Sequence, residues 1–419
     1  MKRFLFLQGP TNFLFAELAQ RLRDKGHAAY RINLCVGDQI FWRGGGAVNF
    51  RGRSSEWRAY LQQFVEQHRI THLLLLGEQR PLHRIAIEVA KARGIEVAVT
   101  DFGYIRPDWV LLERNGMNRD SLAPRDKQSI IQLAHGLPPV ERRVMFPQPV
   151  RKQAILDMIF HGSNFWLGFL FPSYRRHTLV HPLVVYFTTG WRMLRANRHK
   201  LPRFYGNDQS TNELPPFYLF AMQMEDDYSI RAYSPFADLD EPIRRVIQSF
   251  ACFAPKESLL FFKVHPLDPG VKNWAKRIAR VAAQYGVALR VFYIDAGDLN
   301  VLLTKARGLL TVNSTAGLQS IEHGCPTMTL GDAVYDVEGL TYQGDLADFW
   351  QRAEKPDPEF AAAYLRLLLA MLHVRGGYYT PESVAAAADG MAYRLHHGLV
   401  NQVLPEAING VDCWREGKA

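Results

Sequence analysis

Two clusters of polar residues in the second half of the chain have side chains that could bind a phosphate group. The first cluster is Lys263, His265 and Pro266, and the second is Asn313, Ser314, Thr315 and Gly317. Ammonium, imidazole and hydroxyl groups all donate hydrogen bonds to phosphate oxygens. Each cluster directly follows a short apolar run. The residue types therefore predict a site for the phosphate of a nucleotide.

The surrounding pattern places both clusters at the same edge of one sheet. Apolar runs predict strands at 258–264, 288–294 and 308–312, and helical patterns follow each of them. Strands that alternate with helices pair in parallel through right-handed crossovers, and ligands bind beyond their carboxyl ends. The second cluster also opens a helix, where free N–H groups favour an anion.

Each cluster also has an ordinary structural interpretation. Ser314 or Thr315 could act only as a helix N-cap, and His265 with Pro266 could simply turn the chain after a strand. The functional interpretation depends on two such clusters at equivalent strand ends of one βαβ series.

The first hundred residues predict a second doubly wound unit. Strands are expected at 4–9, 28–35, 71–77 and 96–100, with helices at 13–26, 55–69 and 81–94 between them. The fourth strand runs into Asp101, beside Gly103 and Arg106. A nearby guanidinium would favour the ionised carboxylate. Asp101 is therefore a candidate catalytic acid, and a simple turn aspartate is the equally weighted alternative.

Four further stretches have no single interpretation. Glu78, Arg80 and His83 follow the third strand and are expected to face the same cleft as Asp101. The loop 37–52 is rich in glycine and arginine. It could approach a ligand closely or be a flexible surface loop, although Phe41, Trp42 and Phe50 argue against the second.

Of the other two stretches, one is rich in aromatic and basic residues, and the other is acidic. Residues 145–202 could contact anionic lipid or form an interdomain helical pair; packing is slightly favoured, and 191–200 remains the membrane candidate. The acidic run at 225–227 lacks a second carboxylate pair at ligand spacing, so no metal is predicted. It is expected to order the nucleotide or the domain interface.

Bulk properties bound the class of protein. The chain has 419 residues, 47% hydrophobic and 22% charged, which suits two globular domains. No apolar run reaches about 18 residues, so no transmembrane helix is expected. The apolar start stops at Gln8 without a cleavage site, which favours a strand over a signal peptide. The formal charge of +9 suits an anionic partner: a nucleotide sugar, a nucleic acid or a lipid surface.

The four cysteines and the predicted domain boundaries describe the chain further. Cys35, Cys252, Cys325 and Cys413 show no metal or disulfide spacing, which suits the cytoplasm. The predicted division is an N-terminal Rossmann-like acceptor-side domain over 1–145, a helical basic-aromatic connecting segment over 146–210, a C-terminal nucleotide-sugar-binding Rossmann-like domain over 211–375, and a helical tail over 376–419 that could cross back to the first domain.

Several short motifs resemble those of one enzyme family. The matching stretches are Gln8-Gly-Pro, 31–38, Phe41-Trp, 49–52, 103–109, 263–266 and 313–317. Together they resemble the GT-B glycosyltransferases, and within them the capsule polysaccharide biosynthesis family of KpsS/KpsC-type β-Kdo transferases of Gram-negative bacteria, with KpsS-type members as the nearest match. The His-Pro pair is also similar to that of bacterial sialyltransferases, which use CMP-activated sugars.

The resemblance implies a GT-B fold with two Rossmann-like domains facing a cleft. It implies transfer of β-linked Kdo from CMP-Kdo to lyso-phosphatidylglycerol, which starts the linker of a capsule polysaccharide. His265 and the Ser314–Thr315 turn would hold the CMP phosphate, with Lys263 and Glu322 as neighbouring candidates. No cofactor is implied. The protein would work in the cytoplasm, peripherally on the inner membrane, where it could meet other capsule assembly proteins.

The family's essential acid is less well matched. Asp101 would correspond to the first acid of an acid-acid-glycine motif, but the second position here is Phe102, which departs from the family pattern. The retaining outcome would need either a covalent Kdo intermediate on a carboxylate or front-face attack, and both stay open.

The candidate residues fit the chemistry of CMP as a leaving group. CMP leaves as a phosphate, and preorganised donors can stabilise its charge without a metal. A carboxylate would stabilise the oxocarbenium-like transition state.

The alternative functions are a GT-B enzyme using another nucleotide sugar, such as a UDP-sugar, and a non-catalytic capsule assembly or export component. Nucleic-acid binding is disfavoured because the basic residues are dispersed and no recognition motif is present.

Overall fold

A computed structural model describes residues 1–140, 144–147, 149–175, 188, 215–225, 227–295 and 297–409. The chain divides into two compact units. Unit 1 comprises Met1–Pro124, Leu133–His177 and Leu365–Ala419, and unit 2 comprises Arg125–Gln132 and Thr178–Tyr364.

Unit 1 contains a seven-stranded sheet. Its strands are β1 (Arg3–Phe6), β2 (Ala28–Asn33), β3 (Ala47–Asn49), β4 (His72–Leu76), β5 (Glu96–Phe102), β6 (Trp109–Arg114) and β12 (His373–Arg375). They lie in the order β12-β6-β5-β4-β1-β2-β3, and only β6 and β12 pair antiparallel to their neighbours. From β3 to β5 this is the 3-2-1-4-5 order of a doubly wound sheet, with its switch point between β1 and β4.

The helices of unit 1 cover the sheet or border it. They are α1 (Leu14–Asp24), α2 (Val36–Ile40), α3 (Trp57–Gln67), α4 (Pro81–Lys91), α6 (Val150–Trp166), α14 (Pro381–His397) and α15 (Glu406–Asn409). α5 (Lys127–Ala134) and α13 (Pro358–Leu372) contain residues of both units. α4 begins with proline in its first turn, where the missing N–H costs nothing.

The C-terminal part of the chain completes unit 1. α14 starts with a capping box between Thr380 and Ser383 and packs against α1, where Arg21 pairs with Asp389. The side chain of Lys2 donates to the carbonyl of Leu395 at 2.6 Å. Burial of Val384, Ala387, Met391 and Leu395 joins this helix to the core that also contains the side chains of β1.

Unit 2 contains a five-stranded, all-parallel sheet. Its strands are β7 (Phe217–Ala221), β8 (Leu259–Lys263), β9 (Val291–Ile294), β10 (Gly308–Thr311) and β11 (Thr327–Thr329). The order β11-β10-β7-β8-β9 is again doubly wound, and the switch point lies between β7 and β10. The helices that the structure describes with it are α7 (Tyr228–Ala232), α8 (Asp240–Phe253), α9 (Trp274–Gln284), α10 (Leu299–Leu303), α11 (Ala316–Glu322) and α12 (Leu346–Arg352).

Both faces of this second sheet are buried. Alternate residues of β7 and β8 enter different clusters: Phe220 and Phe262 lie on one face, and Leu219 and Phe261 on the other. A strand that is covered on both sides must be apolar at every position, which explains the continuous apolar runs in the sequence. The predicted α/β class with parallel, doubly wound sheets is confirmed in both units.

The observed division differs from the predicted one in three places. Residues 146–177 group with unit 1 rather than forming a separate connecting segment, and 125–132 group with unit 2. Unit 2 ends at Tyr364, earlier than the predicted boundary at 375, because β12 pairs with β6 in the first sheet. Among the described residues, no helix combines the length and apolar character needed to span a membrane.

A buried carboxyl in unit 1 gives a pH-dependent stability prediction. Glu113 on β6 is fully buried and accepts hydrogen bonds from the hydroxyls of Tyr104, at 2.9 Å, and Ser121. Burial raises its pKa from 4.5 to about 8. Between these pH values the folded protein keeps a proton that the unfolded chain has lost, so the free energy of unfolding falls as pH rises.

We expect Glu113→Gln to remove this dependence, since the amide, like the protonated carboxyl, offers one acceptor and one donor to the same two hydroxyls but does not titrate. Urea unfolding at pH 5 and pH 8 should show the wild type losing a few kcal/mol more than the variant. Parallel losses in the two proteins would contradict the raised pKa.

Candidate functional site

The predicted phosphate-binding clusters lie at the carboxyl edge of the unit 2 sheet, on either side of β7. Lys263 ends β8, and Asn313, Ser314 and Thr315 follow β10. Two strand spacings separate β8 from β10, about 10 Å. The second cluster therefore borders the topological switch point, where ligands of doubly wound sheets bind.

His265 both turns the chain and presents a hydrogen-bond donor. The amide of Asp268 donates to its carbonyl at 3.0 Å and closes a turn with the exposed Pro266 in the second position. The amide of Leu267 donates to Nδ1 at 3.1 Å. In the neutral ring the proton is therefore on Nε2, which makes that nitrogen the donor. The ring is half-buried, whereas Lys263 is only 9% exposed.

Asn313 joins the ends of β7 and β10 instead of presenting its amide to the edge. Its side-chain oxygen accepts from Gln223 at 2.8 Å and from the hydroxyl of Ser229 at 3.1 Å, and its Nδ2 donates to the carbonyl of Ser229 at 2.9 Å. The side-chain oxygen of Gln223 in turn accepts a hydrogen bond from the backbone N–H of Asn313 at 3.1 Å. Asn313 thus positions the turn, and Gln223, which sequence reasoning passed over, is its partner across the switch point.

The Ser314–Thr315 turn is held by Tyr335. The Tyr335 hydroxyl donates to the carbonyl of Ser314, and burial raises the pKa of this phenol. Thr315 is the residue before α11, and its side chain makes no capping bond there; the Ser314 hydroxyl accepts from the amide of Ala316 at 3.3 Å. The Gly317 Cα faces the Tyr335 ring, so a Cβ there would overlap the phenol.

We expect Gly317→Ala to displace Tyr335 and the turn that it holds. Forcing a methyl group into a packed contact typically costs about 1–3 kcal/mol. Thermal unfolding should show the loss, and CMP affinity should fall with it. Gly162→Ala is the matched control, since no atom lies within 4 Å of the position of that Cβ. Equal stability of the two variants would contradict this packing role.

Glu322 is not brought to the same place. It is the last residue of α11, about 9 Å along the helix axis from Ala316, and it is exposed. The helix runs back from the carboxyl edge of the sheet, so its last residue, Glu322, lies away from that edge. The structure gives it no part in the cluster that contains Ser314.

The acidic run after β7 meets carboxylates from elsewhere in the sequence. Carboxylate oxygens of Glu225, Asp238 and Asp240 lie within 4.8 Å of one another, so the expectation of no second carboxylate pair was wrong. Lys272 pairs with both Glu225 and Asp240, and Arg277 binds Asp240 at 2.8 Å. Although burial acts against ionisation, these cations lower the pKa of Asp240. The cluster is a network of ion pairs.

Asp101 lies at the carboxyl end of β5 in unit 1, half-buried. Its Oδ1 accepts from the amide of Phe102 at 2.7 Å, and its carbonyl accepts from the Tyr378 hydroxyl at 2.7 Å. Burial, and after it the Asp101 charge, raise the pKa of Tyr378. A Cβ on Gly77, at the end of β4, would lie 3.8 Å from both Asp101 Oδ2 and Arg80 Nε, so these three residues adjoin.

Arg106 and Asp108, which follow Asp101 in the chain, each hold a stretch of backbone in place. The Arg106 Nε donates to the carbonyl of Gly103 at 3.2 Å, and its guanidinium lies 5.1 Å from the centre of the Phe102 ring. Asp108 is 3% exposed and accepts from the amides of Met145 and Phe146, both at 2.7 Å. These bonds assign Asp108 a structural role.

A buried polar network occupies the switch point of unit 1. Arg80 donates to Gln8 Oε1 at 2.9 Å, and Asp38 accepts from Arg31 at 3.0 Å and from Gln8 at 3.4 Å. His83, 1% exposed, bonds through Nδ1 to the carbonyl of Gly77. Burial lowers its pKa to about 3, so the ring is neutral near pH 7. His83 therefore orients the β4 turn and carries no charge.

The aromatic residues of loop 37–52 belong to the core, so the interpretation as a flexible surface loop was wrong, and close approach to a ligand stays a prediction. Phe41, Trp42 and Phe50 are each at most 8% exposed. Trp42 packs on Phe6, and Phe50 on Trp57. The loop contains α2 and β3, which pairs beside β2.

The chain is similar to proteins of one known family. A family model described as "Capsule polysaccharide biosynthesis protein" matches residues 71–379, a stretch that contains Asp101, His265 and Ser314. The chain belongs to the capsule polysaccharide biosynthesis family. The family predicted from the motifs is confirmed.

Two relatives cover nearly all of the chain. The capsule polysaccharide export protein KpsS of Escherichia coli is 32% identical over 390 residues, which are 90% of this chain and 97% of the relative. The capsule polysaccharide modification protein LipB of Neisseria meningitidis serogroup A is 28% identical over 90% of this chain and 92% of its own.

Two solved structures match the chain at low identity. The Thermosulfurimonas dismutans KpsC β-Kdo 2,7 transferase matches with a TM-score of 0.45 and 12% identity, over 94% of this chain and 99% of its own. The UDP-GlcNAc 2-epimerase of Neisseria meningitidis matches with a TM-score of 0.32 and 12% identity, over 95% of this chain and 100% of its own.

Proposed function

We propose that this member of the capsule family is a glycosyltransferase that transfers β-Kdo from CMP-Kdo to lyso-phosphatidylglycerol, the first step of the capsule linker. One observation carries the donor site: Ser314 and Thr315 border the switch point of the unit 2 sheet, with Lys263 and His265 across β7. Hydroxyl, ammonium and imidazole donors at this edge suit a nucleotide phosphate.

The chemistry divides between two sets of residues. Nε2 of His265, Lys263 and the Ser314–Thr315 turn hold the CMP phosphate and stabilise its charge as the C–O bond breaks. Asn313 and Tyr335 keep that turn in place. Asp101 provides the carboxylate that stabilises the oxocarbenium-like transition state, as nucleophile or by charge alone. The proposed reaction uses no metal and no cofactor.

The acceptor gives the proposed location. A lysophospholipid resides in a bilayer, so the protein works at the cytoplasmic surface of the inner membrane, where other capsule assembly proteins would meet it. The membrane contact predicted at 191–200, with Arg192, Arg195, Arg198 and Lys200, lies outside the described residues.

The test is incubation with CMP-Kdo and a panel of lipid acceptors. CMP release with a matching mass gain on the lysophospholipid is the expected result, and competition by CMP but not UDP separates this donor from a UDP-sugar. The Escherichia coli relative is a capsule polysaccharide export protein, which favours an export component as the second candidate. A folded protein that binds polysaccharide without releasing CMP would establish that alternative.

A further inference from the structure

α6 carries a stripe of apolar side chains that faces solvent. Five apolar side chains are between 43% and 76% exposed: Ile155, Met158, Ile159, Phe165 and Trp166. At 100° per residue, all five fall within an arc of about 120°. Phe169, just beyond the helix, is 73% exposed. We call these six residues the outward face of α6.

The opposite side of α6 is bound to unit 1 by polar contacts. Asp157 accepts from the hydroxyl of Thr11 at 2.6 Å, and Asn164 accepts from the amide of Gly37 at 3.0 Å. Phe160 alone supplies a large fully buried ring, which packs near Cys35 and Phe41. The helix is therefore fixed in this orientation, and its apolar stripe is not available to the core.

The exposed charged residues of the segment that carries the outward face are basic. Asp157 is the only acidic residue in 144–175, and it points to Thr11. Arg151 and Lys152 start the same exposed arc, and Arg175 follows the helix; all three are exposed. Arg51, also exposed, lies 6.0 Å from the centre of the Phe171 ring in this segment.

We propose that the outward face of α6 docks into the interface of a bilayer that contains anionic lipid. Tryptophan and phenylalanine side chains suit the headgroup level, isoleucine and methionine side chains enter the acyl boundary, and the basic residues bind lipid phosphates. A symmetric dimer through this face would bring the same cations together, which disfavours a second copy as the occupant. The choice of a lipid partner rests in part on the proposed lipid acceptor.

The experiment uses the full chain and two kinds of vesicle, one of phosphatidylglycerol mixed with phosphatidylcholine and one of phosphatidylcholine alone. Flotation should show binding to the anionic vesicles that weakens with salt and little binding to the neutral ones. The combined variant Met158→Gln, Ile159→Gln and Trp166→Gln should bind at least about tenfold more weakly.

The matched control replaces three exposed apolar residues of unit 2: Phe253→Gln, Leu289→Gln and Val301→Gln, which are 48%, 88% and 49% exposed. It should bind as the wild type does. If the triple variant fails to fold by circular dichroism, Trp166→Gln alone serves, since that side chain is 76% exposed.

The proposal would be overturned if the wild-type protein did not bind anionic vesicles. It would also be overturned if the outward-face variant bound them as strongly as the wild type. A wild-type dimer in sedimentation that the variant loses while vesicle binding persists would overturn it as well. Binding is measured without CMP-Kdo, so the two proposals separate. A protein that binds through this face but transfers no Kdo refutes the proposed function alone, and transfer without such binding refutes this inference alone.

Discussion

Replacing Asp101 by asparagine is expected to abolish Kdo transfer while CMP still binds. The substitution keeps the size of the side chain, and its amide oxygen can still accept the 2.7 Å bond from the Phe102 amide. What is lost is the negative charge opposite a developing oxocarbenium ion. Loss of a nucleophile or of its charge commonly lowers turnover by about 10³-fold or more.

The measurement pairs initial rates with CMP affinity from calorimetry. Asp120→Asn is the matched control, an exposed aspartate of the same unit that is not among the predicted site residues. Mass spectrometry of the wild type should separate the two roles, because a nucleophile forms a Kdo adduct on Asp101 and a purely electrostatic group does not. Near-normal transfer by Asp101→Asn would reject the assignment and turn attention to Glu78.

His265→Ala is expected to lower turnover by about 10²–10³-fold, the usual effect of removing one donor that stabilises developing charge. The fold should survive because His265 follows β8 and is half-buried. The Leu267 amide, which loses its acceptor, can bond to water instead. CMP affinity should weaken together with turnover, because the same donor holds the ground-state phosphate.

Two comparison variants sharpen this prediction. Ser314→Ala should have a smaller effect, since backbone amides of the turn remain. His323→Ala removes an exposed histidine from the far end of α11, where it bonds to Asn300, and should leave turnover unchanged. A folded His265→Ala protein with normal turnover and normal CMP affinity would exclude His265 from the donor site.

The regular elements followed from the sequence because local patterns specify them. Predicted strands 71–77 and 258–264 appear as β4 and β8, and the predicted helix 81–94 as α4. Continuous apolar runs bounded by polar residues become strands that are covered on both faces. The strands β3, β6 and β12 were missed; β12 has only three residues, and its pairing with β6 joins parts of the chain that are far apart in the sequence.

The acidic and aromatic segments show the same limit. No local pattern near Glu225 predicts that Asp238 and Asp240 lie beside it, or that Lys272 is their counter-ion. The rings of Phe41 and Phe50 are core residues because α6 and α3 happen to pack on them. Composition identifies such segments as unusual but does not tell a ligand contact from a packing contact.

By itself the sequence determined the family, the doubly wound class of both units, and the placement of Asp101, His265 and Ser314 at strand ends. It could do so because strand ends are marked by local changes from apolar to polar residues. Only the tertiary structure decided the order of the strands, which places β7 between His265 and Ser314. It also showed that Gln223 and Asn313 bond across the switch point, and that Glu322 lies at the end of α11 away from the carboxyl edge. The outward direction of the apolar side of α6 was likewise decided by the tertiary structure. Strand order and helix orientation are set by contacts between residues far apart in the chain, and no local pattern contains them.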